Sequence, residues 1–362
     1  MPITARNIVL HCFIAITVAP AISLQSAKAE LPAQRITAQA VSETPALRER
    51  IIGTLVMTEP VGGIRTIDLA TMTATSIRPS NVGRSAVHTV SEPDATGDVM
   101  FVSGIVSPSR TYTVHMAKSG EEKVLFSGPG DPLWDHAISP ISLAPSGGKA
   151  AFVAQPPENE SERFRQLTAG PLRIWDPATA SVRDLGFTAV GERPSWFPDG
   201  RMLAYVADAA ASTPIDARTK APEVRLLDTT TALSTPLAPG HLPLVSSDGL
   251  TILITRGRNF ELLLVDVKTK TERVIPRSHG LGTPIALIDS RYLIYIGKPT
   301  PGAPIGQTTN NSPRIGPKPM MAIKLLDLET GQFATLVPLI DPRRSVTALA
   351  HAVTSMTPRI TR

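Results

Sequence analysis

The residues with chemistry to offer are few and far apart. His88 and His241 stand just before inner-strand segments, and His136 and His279 lie a few residues farther upstream of two more. Imidazoles brought together on one face can hold a divalent metal or carry protons near neutral pH. No His-x-His or His-Glu-x-x-His spacing marks a metal site, and polar residues that cap strand ends give the same pattern. Arg193 is placed to meet a carboxylate with its guanidinium fork. Trp134, in GPGDPLWDHA, is placed to stack on a sugar or a peptide. These six residues (His88, Trp134, His136, Arg193, His241 and His279) are the candidate ligand contacts, and no catalytic residue is assigned.

Several motifs that would name a reaction are missing. There is no G-x-S-x-G elbow for a serine hydrolase and no D-x-D-x-D-G calcium loop. SGGK at Ser146 lacks the first glycine and the Ser/Thr of a phosphate loop. Asp68, Asp176, Asp228, Asp266 and Asp327 recur at equivalent places, each followed by a Thr-containing turn. Recurrence in unit after unit is the mark of a turn-forming carboxylate, not of one catalytic acid.

The elements that must position these residues come from a repeat. EVRLLDTTTALSTPLAP from Glu223, ELLLVDVKTKTERVIP from Glu261 and AIKLLDLETGQFATLVP from Ala322 are copies of one strand, polar turn and strand. Looser copies begin at Ile64, Thr111 and Leu172, and a short apolar run such as RMLAYVAD or LTILITRG precedes each copy. The runs are rich in Val, Ile, Leu and Thr, bounded by Gly, Pro and Asp, and often continuous, as strands covered on both faces are. A further, innermost strand is clearest in ERPSWFPDGRMLAYVAD and HLPLVSSDGLTILITRG, where Asp199-Gly200 and Asp248-Gly249 mark hairpin turns. No stretch sustains a helical period. Units that bury their faces only against neighbours make an all-β, six-bladed β-propeller of four-stranded antiparallel blades. The first unit lacks its own inner strand, and SVTALAHAV from Ser345 is expected to pair into it and close the ring. His351 falls in that closing segment.

The segment PSWFPDGRMLAYV followed by VRLLDTTT resembles the repeat of TolB-type propellers, a WD-like bacterial family. The similarity runs over nearly the whole chain after residue 50, strongest in that unit and carried elsewhere by the D-x-x-T turn. No α/β domain precedes the repeats, which departs from TolB itself. The resemblance implies an interaction platform. Some propeller lyases acting on pectin fragments have a similar repeat and use histidines with a divalent ion.

In this architecture the loops entering the inner strands share a face with those joining second and third strands. Three of the latter are long, starting at Pro156, Ala209 and Pro299. Loops of that kind carry function more often than strands do. The face with the long loops and the histidines is therefore where a ligand is expected.

The N-terminus sets the compartment. Arg6, the apolar stretch from Ile8 to Leu24 and the Ala27-Lys28-Ala29 box read as a signal peptide over 1–29. A polar segment over 30–49 and a single propeller over 50–362 follow. Without residues 1–29 the formal charge falls from +5 to +3, and the only cysteine, Cys12, is lost. A chain with no disulfide fits the bacterial periplasm better than a secreted disulfide framework. Scattered basic residues and few aromatics argue against nucleic acid, and no membrane span is expected in the mature chain. The expected function is non-enzymatic binding of an envelope protein, peptide or glycan, with no cofactor. The alternative is a metal-dependent lyase or hydrolase acting on acidic oligosaccharides, with the histidines around a divalent ion.

Overall fold

The computed structural model describes residues 34–35, 43–59, 62–79, 86–94, 96–104, 111–118, 121–129, 138–145, 148–154, 169–207, 222–257, 261–275, 281–298, 321–340 and 346–353. They belong to a unit spanning Ala33–Arg362, distinct from Met1–Pro32. Apart from one 3-10 turn at Pro45–Arg50, the regular structure is strand. The chain is an all-β propeller.

The strands in order are β1 (Gln34–Arg35), β2 (Ile51–Thr58), β3 (Ile64–Asp68), β4 (Ala74–Arg78), β5 (Ala86–Pro93), β6 (Val99–Gly104), β7 (Thr111–Lys118) and β8 (Glu121–Pro129). Next come β9 (Ser142–Leu143), β10 (Ala150–Val153), β11 (Ala169–Asp176), β12 (Ser181–Val190), β13 (Ser195–Trp196), β14 (Met202–Ala207), β15 (Glu223–Asp228) and β16 (Leu233–Pro239). The last are β17 (His241–Val245), β18 (Thr251–Arg256), β19 (Glu261–Asp266), β20 (Glu272–Ile275), β21 (Leu281–Ile288), β22 (Tyr292–Gly297), β23 (Met321–Asp327), β24 (Phe333–Ile340) and β25 (Val346–Ala352).

They pair into five sheets. Three are four-stranded: β25-β2-β3-β4, β5-β6-β7-β8 and β21-β22-β23-β24. In a fourth, β17 to β20 carry β1 on the outer edge, in parallel with β20. The fifth is eight-stranded, because Ala189, near the end of the long β12 and paired there with Gly170 of β11, also pairs with Ala207 of β14. Six separate four-stranded blades are thus corrected to four sheets of one repeat each and one sheet that merges two. The terminal segment does pair into the first repeat, from Ile51↔Ala352 to Met57↔Val346.

Local chemistry explains the hairpins. Gly200 and Gly249 take φ of 63° and 70°, which a side chain resists, and supply the tight turns ahead of β14 and β18. Asp68, Asp176, Asp228, Asp266 and Asp327 each accept a backbone N–H two or three residues on, as in Thr71 N to Asp68 Oδ1 at 2.7 Å. Those bonds favour the ionised form, and Asp68 and Asp266 are held below the usual carboxylate range by them. The recurrent aspartates are turn devices, as their spacing suggests. In two repeats they also receive the arginine after the inner hairpin, Arg201 on Asp228 and Arg291 on Asp327.

Burial follows strand position. Every residue of β6, β10 and β22 is buried, whereas β8 and β12 are mostly exposed. Middle strands are covered on both faces by neighbouring sheets, and outer strands are not. One apolar cluster joins Val56, Ile64 and Ile77 to Val90, Val99 and Phe101 across two sheets. Trp196, expected to pack between repeats, is buried and its Nε1 donates to Ser142 O of the preceding repeat at 3.0 Å.

Candidate functional channel mouth

Residues from the inner strands β5, β9, β13, β17, β21 and β25 line one cavity, among them Glu92, Ser142, Ser195, Val245, Leu287 and Ala348. Its volume is about 80 Å³, room for a few waters or one side chain. The cavity is not enclosed, and its open end forms a mouth.

Side chains and backbone stitch each inner strand to the next. Thr347 Oγ1 donates to Ser91 O at 2.7 Å, Leu143 N to Glu92 Oε2 at 3.4 Å, and Val245 N to Ser195 Oγ at 3.0 Å. Ser247 N donates to Leu287 O at 3.0 Å, and Ala352 N to Asp289 Oδ2 at 3.3 Å.

Glu192 and Arg193, just before β13, adjoin the cavity through Glu92, which lines it and meets Arg193. Arg193 Nη2 lies 2.5 Å from Glu92 Oε2, so the pair spans from β5 to the approach of β13, past the β9 repeat between them. The contact has ion-pair distance without hydrogen-bond alignment. Arg193 Nε and Nη2 are buried, and neither makes an aligned hydrogen bond among the described residues. The part of the guanidinium that stays exposed is suited to a second carboxylate or a carbonyl.

Glu192 turns the other way. Its side chain is 4 % exposed; Oε1 accepts from His241 Nδ1 at 2.7 Å and Oε2 from Leu242 N at 2.6 Å. The hydrogen bond to Glu192 pushes the His241 imidazole above its ordinary pKa, against an opposing effect of burial. Pairing slips between His241 and Leu244, and Leu242 takes φ of 49°, rare for a branched side chain. Its side chain is left 41 % exposed at the mouth. A bulge here re-aims a side chain, as bulges near binding sites do.

Of the candidates read from sequence, the structure brings Arg193 against Glu92 and His241 against Glu192. His88 is half-buried at a register slip in β5. Trp134, His136 and His279, and the loops from Pro156, Ala209 and Pro299, lie outside the described residues. Among the described residues no three His, Cys, Asp or Glu side chains form a group able to hold a metal ion. Glu92, Glu192 and Leu242 were not anticipated. Glu192-Arg193 is visible as a charged dipeptide, but nothing local says that the two side chains pair with His241 and Glu92 of other repeats.

A scan against protein-family models finds no match, and neither does a search of curated proteins. Solved structures do match. TolB from Acinetobacter baumannii superposes with a TM-score of 0.55 at 14% identity, over 83% of this chain and 66% of that one. The chain thus spans less than two thirds of that protein's length. A putative TolB from Agrobacterium tumefaciens gives a TM-score of 0.49 at 13% identity, over 84% of this chain and 99% of that one. An oligogalacturonate lyase in complex with manganese gives 0.48 at 13%, over 68% and 70%. The chain has the TolB-like β-propeller fold.

Proposed function

We propose that this chain is an exported, periplasmic binding propeller that engages an envelope protein, peptide or glycan at its channel mouth and performs no reaction there. The observation that carries this reading is Arg193, a cation that keeps 20 % of its side chain exposed while paired with Glu92, together with the exposed Leu242. Together they offer one polar and one apolar anchor, the combination a docking surface needs. The eight-stranded sheet is read as two blades joined at Ala189, which makes six, with β25 as the strand that closes the ring. Support comes from the shared lining of the channel by six inner strands and from the stitches between them. Export rests on the signal features of residues 1–29; among the described residues no helix is long and apolar enough to cross a membrane.

The test is photo-crosslinking in cells, with benzoylphenylalanine placed at Leu242 or, as a control, at Val182 on the outer strand β12. A discrete adduct at 242 alone, lost on Arg193→Ala, supports a mouth-binding partner. No adduct at 242, together with near one divalent metal per purified chain that disappears in His88→Ala/His241→Ala, would replace it with the metal-dependent lyase or hydrolase.

A further inference from the structure

A second polar cluster lies away from the channel, at the seam between the sheet of β4 and the sheet of β6, β7 and β8. Arg78 at the end of β4 is 5 % exposed. Its Nη1 donates to Gly62 O and its Nε to Glu122 Oε2 at 2.9 Å. Glu122 Oε1 lies 2.8 Å from His115 Nδ1, and His115 Nε2 lies 2.7 Å from Ser103 Oγ. The imidazole stacks on Phe101 with centroids 4.6 Å apart, and the Arg78 guanidinium sits 5.3 Å from the same ring.

Ser103, His115 and Glu122 have the atom order of a nucleophilic relay. Ser103, however, is 3 % exposed. A substrate cannot reach its oxygen, so the chemistry left to the chain is proton binding.

With the neutral ring's proton on Nδ1, Nε2 accepts from the Ser103 hydroxyl, while buried Nδ1 faces Glu122 Oε1 at ion-pair distance without hydrogen-bond alignment. A second proton makes Nε2 a donor, so Ser103 must turn to accept and lose its own donation. It also places a full positive charge near Arg78, with one carboxylate shared between two cations. Arg78 and Glu122 are the charged groups that act on His115 among the described residues. Burial, aided by Arg78, pushes the imidazole below its ordinary pKa, and Glu122 only partly offsets this.

We propose that the Arg78–Glu122–His115–Ser103 chain is a pH-operated latch, which holds these two sheets together at neutral pH and releases their seam on acidification while the rest of the propeller stays folded. An imidazole that takes its proton more readily when the seam is open favours opening below its free value of about 6.5. The opening equilibrium then gains up to about tenfold per pH unit until the closed-state value is reached.

Hydrogen exchange followed by mass spectrometry between pH 7.5 and 5.0, corrected for intrinsic rates, tests this on the whole protein. Protection over 74–78, 111–118 and 121–129 should fall reversibly by up to about tenfold per unit below pH 6.5, with β18, β19 and β22 unchanged. In His115→Gln the seam should show no such response. A proton NMR titration of His115 in the unaltered protein should give a midpoint below about 6.5. A seam indifferent to pH, a response shared by every sheet, a response that survives His115→Gln, or an NMR midpoint at or above 6.5 would each overturn the latch. Should His115→Gln fail to fold, the exchange map and NMR midpoint of the unaltered protein decide the matter.

Discussion

His241 at the channel mouth and His115 in the seam each bring Nδ1 within 2.8 Å of a glutamate, yet their proton affinities move in opposite directions. Among the described residues no arginine or lysine pairs with Glu192; its other oxygen takes the Leu242 N–H, and its charge holds a proton on His241. Glu122 is already committed to Arg78, and His115 lies deeper, stacked on Phe101. Distance to a carboxylate does not set the state of a histidine. What else the carboxylate holds, and how much water is left, decides it.

The pH dependences follow with opposite sign. His241, raised in the folded state, contributes stability that is full below about pH 6.5 and lost as pH rises through its folded value. His115, lowered in the folded state, contributes stability present above about pH 6.5 and lost as pH falls toward its folded value.

The largest effect should come from removing the cation that separates the two cases. Arg78→Met leaves Glu122 to His115 alone and is expected to cost about 3 kcal/mol in urea unfolding, the scale of breaking a buried pair. The same change should raise the His115 NMR midpoint, so that it comes to behave as His241 does; a midpoint left unmoved would break the comparison. Next is Glu192→Gln, which keeps an acceptor for Leu242 N but removes the charge under His241. It is expected to cost about 2 kcal/mol and to abolish the loss of melting temperature between pH 6 and 8 that is due to His241. Smallest is Leu242→Gly. Relief of a left-handed backbone, worth about 1–2 kcal/mol, is offset by about 0.5–1 kcal/mol of glycine entropy. Stability by urea unfolding should therefore stay within about 1 kcal/mol of the parent, although the crosslinking position itself is lost.

What could be read in advance divides along a physical line. Strands, hairpins at Asp199-Gly200 and Asp248-Gly249, aspartate turns and the pairing of the terminal segment are encoded by short patterns, and the structure contains them. The merger of two repeats depends on the end of the β11–β12 hairpin bringing Ala189 against Ala207 of β14, which no local signal sets. The ion pairs were harder still. Arg193 and Glu92 are separated by a complete repeat, and Arg78 and Glu122 lie 44 positions apart. Such residues read as solvated charges until the sheets are stacked. His115 lay within TYTVHMAK, a segment legible as a strand but silent about its partners.

The pairing of β2 with β25 also has a consequence for the order of assembly. Ile51 and Ala352 are about 300 residues apart in the chain, so the first sheet to be synthesised is the last to be completed. Until the C-terminal segment arrives, β2 presents an open edge of unpaired backbone groups flanked by the apolar Leu55, Val56 and Met57. The newborn chain is thus at its most vulnerable to wrong pairing at its own beginning, for nearly the whole time it takes to make the rest.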